Sequence, residues 1–111
     1  MELASAYDES INTFLSKKFN ESETWLGGYR EDVNNKTSWK WADKKWGPKP
    51  WIYTNWAPGE PKNQEVLVTN YKKAGQWDDQ EKDSLHDFIC QMSKIGFLFL
   101  KKIILHGVKF R

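Results

Sequence analysis

The chain has 111 residues, enough for one small domain. Its apolar content of 39% and charged content of 29% are typical of a globular protein rather than a disordered one. The formal net charge is only +2, with bases and acids mixed along the chain, so neither nucleic acid nor a membrane is expected as a partner.

The thiol content and the N-terminus limit the cellular context. Cys90 is the single cysteine, so no internal disulfide can form, which taken alone favours a reducing compartment or a buried free thiol. Residues 1–18 lack the apolar stretch of a signal peptide, and no apolar run is long enough to span a bilayer.

The first predicted element is a helix. Ile11, Phe14, Leu15 and Lys18 follow helical spacing, and Asp8 can cap the helix N-terminus. The stripe is apolar and the opposite face is polar. We therefore expect an ordinary helix that packs against the core.

Short strands are predicted after the helix. In residues 38–42, Trp39 and Trp41 alternate with other residues and so lie on one face, which is typical of a strand. The stretches with strand-like composition are residues 25–29, 38–42, 66–71, 75–78 and 86–91. A helix followed by short strands and one large loop is an α+β arrangement.

The large loop runs from Lys44 to Lys62 and has an unusual composition. It contains all four prolines of the chain together with Trp46, Trp51 and Trp56. Disordered linkers rarely contain so many indole rings, and long ordered loops are usually functional. We expect an ordered loop that carries a binding site.

Loop and strands together contain a series of short motifs between Leu3 and Gln91. The motifs are Leu3-Ala-Ser5, Phe14-Leu15, Trp25-Leu-Gly-Gly28, Trp39-Lys-Trp-Ala-Asp43, Asn55-Trp-Ala-Pro-Gly-Glu-Pro61, Gly75-Gln-Trp-Asp-Asp79 and Phe88-Ile-Cys90. In this order and spacing the series resembles the C-type lectin domain. The resemblance implies an α+β fold of small antiparallel sheets with flanking helix, in which most of the seven Trp belong to the core. It places a lectin-like domain, truncated at its N-terminus, at residues 1–92. Residues 93–111 then form a basic and apolar tail outside the domain.

The same resemblance implies a calcium site that also binds the sugar. Calcium takes six to eight oxygen ligands, and in C-type lectins two neighbouring sugar hydroxyls complete its shell. The implied metal ligands are Glu60, Glu65, Asp78, Asp79 and Asn63. The implied carbohydrate-binding residues are Glu60, Lys62, Glu65, Asp78 and Asp79. Pro61 matches a proline whose preceding peptide bond is cis in the family.

One position departs from the family pattern. Lys62 stands where a second loop ligand, Asn or Asp, is usual, and an ammonium group is repelled by calcium. Two hypotheses stay open. Either calcium binds weakly, with Asn63 in the vacant ligand position, and the domain recognises a mannose-type glycoconjugate. Or Lys62 neutralises the carboxylates, and a calcium-independent module binds a protein or another ligand that is not a sugar.

The cysteines also depart from the family. By resemblance Cys90 is half of a disulfide whose partner would precede Met1, and the second family pair would fall at Leu67 and Lys82, where no cysteine stands. The resemblance implies a secreted, extracellular full-length parent. An enzyme is not expected, because neither His86 nor His106 lies in a metal or nucleophile motif.

Overall fold

The structure, a computed structural model, describes residues 2–35, 37–94 and 97–108. The described residues form one helix and seven strands. In chain order these are β1 (Glu2–Leu3), α1 (Glu9–Lys18), β2 (Thr24–Arg30), β3 (Trp39–Trp41), β4 (Val66–Thr69), β5 (Asp78–Gln80), β6 (His86–Lys94) and β7 (Phe97–Val108).

Helix α1 begins at the predicted cap. The Asp8 carboxylate accepts a hydrogen bond from the backbone N–H of Ile11 at 2.9 Å, and this bond lowers the pKa of Asp8. The buried face, however, consists of Asn12 and Leu15, while Phe14 is 47% exposed. The expectation that Phe14 belongs to the core-facing stripe is wrong. Asn12 occupies the buried side of the helix instead, because its amide group makes buried hydrogen bonds on that side.

Asn12 connects the helix to the turn before β5. Its amide nitrogen donates to the carbonyl oxygen of Gly75 at 3.1 Å, and its oxygen accepts from the indole N–H of Trp77 at 3.0 Å. A buried polar side chain is stable when it is hydrogen-bonded in this way. The helix is thereby fixed against a segment more than sixty residues further along the chain.

The strands are joined in a single sheet with the order β1-β6-β2-β4-β5, to which β3 is added beside β2 and β7 beside β6. Strands β2 and β6 run parallel, with Thr24 opposite Asp87 and Trp25 opposite Phe88, and the other pairs are antiparallel. The α+β class is confirmed. The separate antiparallel sheets that the resemblance implied are replaced, in the described residues, by one mixed sheet, because β6 lies beside both β1 and β2.

Strand β5 begins later than predicted. The sequence placed it at residues 75–78, whereas the strand runs from Asp78 to Gln80. Gly75 adopts a φ of 81°, a left-handed conformation that belongs to a turn. The shift places Asp78 and Asp79 inside the strand, where β4 holds them through the pairs Val68–Asp78 and Leu67–Asp79.

The indole rings unite the core with the long loop. Trp25, Trp39, Trp41 and Trp77 are buried, as expected for most of the seven. From the loop, Trp51 stacks on Trp41 with ring centroids 4.5 Å apart. Three loop rings, Trp46, Trp51 and Trp56, pack against the core while remaining partly exposed. The loop is therefore ordered by aromatic contacts rather than by regular secondary structure.

The predicted tail begins inside strand β6. Strand β7 pairs antiparallel with β6, with Phe88 opposite Ile103 and Lys94 opposite Phe97. Residues 95–96 and 109–111 of the predicted tail lie outside the described residues. The domain boundary at residue 92 stays a prediction. No described helix is long and apolar enough to cross a bilayer.

Candidate functional site

Asp79 anchors the end of the long loop to β5. It is 4% exposed, and its two carboxylate oxygens accept hydrogen bonds from the backbone N–H groups of Lys62, at 2.9 Å, and Gln64, at 2.7 Å. Asp79 therefore determines where the chain after Glu60 lies.

A buried arginine, Arg30 at the end of β2, supplies the charge opposite to Asp79. Its Nη2 lies 3.5 Å from Asp79 Oδ2 and donates to the carbonyl oxygen of Lys62 at 2.8 Å. The guanidinium also lies over the Trp39 ring, 5.0 Å from its centroid. Arg30 was not among the site residues predicted from the sequence. A buried cation could have been inferred from the repulsion among the grouped acids, which requires a nearby positive charge.

Three carboxylates meet beside this anchor, and we call them the acid cluster: Glu60, Asp78 and Asp79. One oxygen from each lies within 4.8 Å of the others. Burial is the main cause that raises the pKa of Asp78 to about 6, and a hydrogen bond from Gln80 opposes it. The charge of Glu60, a hydrogen bond with Glu60 and the charge of Asp79 raise the pKa further, each by less. The neighbouring negative charges of the acid cluster therefore favour the binding of a cation or a proton.

Lys62 is the cation next to the cluster. Its Nζ lies 3.7 Å from Glu60 Oε2, but the lysine side chain is 73% exposed while that of Glu60 is only 7% exposed. An ion pair of this length whose lysine side chain is largely in solvent is weak and easily separated. Lys62 thus approaches the carboxylates from solvent and is not built into them.

One of the implied ligands, Glu65, is not among the acids that meet in the acid cluster. Glu65 is half exposed and points to Lys82, with a distance of 3.9 Å between Lys82 Nζ and Glu65 Oε2. Asn63 is exposed. The Glu60–Pro61 peptide bond is cis, as the resemblance implied.

The acid cluster fits a calcium ion only in part. Asp79 already accepts two backbone N–H groups and faces Arg30, so Glu60 and Asp78 carry the free oxygen lone pairs. Six to eight oxygens are needed, and the remainder would have to come from backbone carbonyls, water and the ligand. Carboxylate oxygens are suitable ligands for calcium, but the acid cluster supplies few of them.

A second buried carboxylate, Asp43, holds the beginning of the loop. Its Oδ1 accepts from the backbone N–H of Trp46 at 2.6 Å, and its Oδ2 accepts from Gln91 at 2.9 Å and from the hydroxyl of Ser5. The loop is therefore fixed at both ends, by Asp43 and by Asp79, so its conformation is determined by the protein's own hydrogen bonds.

The residues that could suggest catalysis have structural contacts. His86 faces Gln80, with 2.5 Å between His86 Nε2 and Gln80 Oε1, whereas Asp87 accepts from the hydroxyl of Ser22 at 2.8 Å. Cys90 is a buried free thiol, and burial raises its pKa, which disfavours the reactive thiolate.

Fold and site together define a lectin-like recognition domain with an acidic loop site. The family model described as the lectin C-type domain matches residues 2–92, and the chain belongs to this family of lectins, which are not enzymes. The chain is 34% identical over 99 residues to a C-type lectin of Cerberus rynchops, and the match covers 80% of this chain and 59% of that protein. It is 32% identical over 79 residues to the mouse low affinity immunoglobulin epsilon Fc receptor, covering 69% of this chain and 22% of the receptor.

The solved structures agree. The cow C-type carbohydrate-recognition domain of CD23, determined in the presence of a GlcNAc2Man3 oligosaccharide, superposes with a TM-score of 0.56 at 27% identity, covering 69% of this chain and 57% of that one. A mouse scavenger receptor C-type lectin domain superposes with a TM-score of 0.63 at 23% identity, covering 93% of this chain and 71% of that one, which shows the fold. The chain spans 59% of the length of the first snake lectin relatives that it matches.

Proposed function

We propose that this domain binds glycans through a low-affinity calcium site in which Glu60 and Asp78, supported by Asp79, hold the ion. The observation that carries the proposal is the approach of three carboxylates within 4.8 Å of one another at the end of an ordered loop. A bound calcium ion supplies the positive charge and the open coordination positions that two neighbouring sugar hydroxyls can fill. Glu60 and Asp78 would also accept hydrogen bonds from those hydroxyls.

The relatives support a glycan as the ligand. The cow CD23 domain was determined with an oligosaccharide that contains mannose, and a barnacle relative, 28% identical over 98 residues, is named as a lectin. A mannose-type glycoconjugate is therefore the first ligand to test. We also propose that the protein acts outside the cell, where calcium is abundant.

The affinity for calcium is expected to be low. Few carboxylates and an incompletely rigid set of ligands are typical of extracellular modules with dissociation constants of about 10⁻⁴ to 10⁻³ M. Asp79 divides its oxygens between the ion and two backbone N–H groups, and Lys62 must move away from Glu60. The exposure of the lysine makes that movement inexpensive.

A calcium-independent binding module is the second candidate. It is favoured by the cations already present, since Lys62 lies 3.7 Å from Glu60 and Arg30 lies 3.5 Å from Asp79. In this case the loop face would bind a protein or another ligand that is not a sugar, without any metal.

Calcium titration of the whole chain by calorimetry, with thermal melting in calcium and in chelator, separates the two candidates. A ligand that binds only the folded state raises the melting temperature. We expect saturable binding, a higher melting temperature and calcium-dependent retention on immobilised mannose. Lys62→Asn should tighten calcium binding and Glu60→Gln should abolish it.

Two matched variants serve as controls. Lys82→Asn removes the lysine that faces Glu65 outside the acid cluster, and Glu31→Gln removes an exposed glutamate that pairs with Lys40 at 2.9 Å. Both should leave calcium binding unchanged. If a folded sample binds no calcium and Lys62→Asn does not create binding, the proposal is wrong and the calcium-independent module takes its place.

A further inference from the structure

A cavity of about 650 Å³ lies in the long-loop face beside the acid cluster. Its walls include the rings of Trp39, Trp51 and Trp56, and Pro61 lies in its lining next to Glu60. Because Pro61 borders the cavity and follows a residue of the acid cluster, the two sites are neighbours. One extended ligand could contact both.

Two Trp side chains beside the cavity have buried N–H groups without acceptors. Trp39 is 8% exposed, and its buried Nε1 has no partner among the described residues, as is also true of Trp51 Nε1. By contrast, the indole nitrogen of Trp77 donates to Asn12 at 3.0 Å. The Nε1 atoms of Trp39 and Trp51 are closed off from solvent, so these two side chains can present only carbon atoms to the cavity.

The charge of the lining is positive. Lys40 and Lys49 border the cavity, and no acidic residue in the described part of the chain does so. Lys40 is partly neutralised by Glu31, whereas Lys49 lies over the neutral ring of Trp46, 4.6 Å from its centroid, and is in no ion pair with a described residue. The cavity therefore favours an anion with apolar faces.

We propose that this cavity is a second glycan subsite that binds a carboxylate-bearing sugar of the uronic acid type. The aliphatic C–H faces of a pyranose suit the carbon atoms of the indole rings, and its carboxylate is opposite in charge to Lys49. The cavity volume of about 650 Å³ accommodates a sugar residue. This proposal rests on the proposed glycan-binding function and specifies its ligand as an acidic glycan.

The probes are methyl glucuronide and methyl glucoside. The glucuronide carries a carboxylate where the glucoside carries a neutral hydroxymethyl group. Titrations are carried out with chelator present, so that the acid cluster makes no calcium-dependent contribution. The readout is the set of indole N–H signals in the NMR spectrum of the whole chain, which has seven Trp. We expect saturable shifts of the Trp39 and Trp51 signals with the glucuronide, weaker shifts with the glucoside, and no shift of Trp77.

Lys49→Gln has a close control in Lys45→Gln. Both lysines are exposed and lie over the Trp46 ring, at 4.6 and 4.8 Å from its centroid, but only Lys49 borders the cavity. Lys49→Gln should weaken glucuronide binding about threefold to fivefold, as for an exposed charge contact, and Lys45→Gln should not. Thr54→Phe, which adds an aromatic ring to the cavity lining, should abolish binding, while Ile52→Phe at an exposed position outside the lining should not.

Two results would overturn the subsite. One is equal binding of glucuronide and glucoside, or of neither, in a folded sample. The other is an equal effect of Lys49→Gln and Lys45→Gln. Retention on mannose in calcium is measured in the same samples, so failure of the subsite and failure of the calcium site are distinguishable.

Discussion

Replacement of Arg30 by methionine should destabilise the domain and loosen the loop that carries the acid cluster. The Arg30 side chain is 0% exposed and that of Asp79 is 1% exposed, so both charges of the pair are withdrawn from water. Removing one partner of a buried pair costs about 3 to 5 kcal/mol, because the other charge stays buried without compensation. The hydrogen bond from Arg30 to the Lys62 carbonyl is lost as well.

Two features of Arg30 reduce this cost. Its Nε and Nη1 are buried with no partner among the described residues, and each such donor carries a penalty of about 1 to 3 kcal/mol that methionine removes. Asp79 also keeps its two backbone donors. With the lower figure of about 1 kcal/mol for each of the two donors, we expect a net loss of about 2 to 3 kcal/mol in the free energy of unfolding, and a fall in melting temperature of about 10 °C.

Urea unfolding followed by circular dichroism measures the loss. Lys40→Met is the matched control, because Lys40 makes an exposed ion pair with Glu31 and should change the midpoint very little. In a double-mutant cycle, Arg30→Met should cost less when Asp79 is already Asn, since the buried charge is then absent. Equal midpoints for Arg30→Met and Lys40→Met would refute the role assigned to the buried pair.

Three further predictions concern the helix and the acid cluster. Asp8→Ala should lower the free energy of unfolding by about 1 kcal/mol, because the cap on Ile11 is lost. Asn12→Leu should lower it by about 1 to 3 kcal/mol, because the indole N–H of Trp77 is left buried without an acceptor. The pKa of Asp78 is raised from 3.8 to about 6, so the folded state holds this proton more tightly than the unfolded state. Stability should therefore fall as pH rises from about 4 to about 6, and calcium binding should weaken about fivefold between pH 6 and pH 5.

Each of these has a direct check. Urea titration of Thr13→Ala, an exposed position on the same helix, should show little change beside Asn12→Leu. Asp8→Ser keeps a capping oxygen and should recover most of the loss seen in Asp8→Ala. Asp78→Asn should flatten the pH dependence of stability between pH 4 and 6. An unchanged slope in that variant would show that another group is responsible.

Local patterns in the sequence predicted much of the fold. The capping Asp8, the alternating Trp39 and Trp41 and the β-rich residues 66–69 each act on their immediate neighbours, so their effect is visible in a short window. The family motifs likewise identified Glu60 and the Asp78–Asp79 pair by their position along the chain.

Only the tertiary structure decided which of these groups meet. Arg30 is close to Asp79, Glu65 points instead to Lys82, and Asn12 displaces Phe14 from the core-facing side of its helix. Charge interactions and hydrogen bonds depend on distance and burial between segments far apart in sequence. Periodicity within a segment contains no information about those distances. The acid cluster, Glu60, Asp78 and Asp79, could therefore be predicted from the sequence. The cations that lie beside these acids, and the neighbouring cavity, could be identified only in the folded chain.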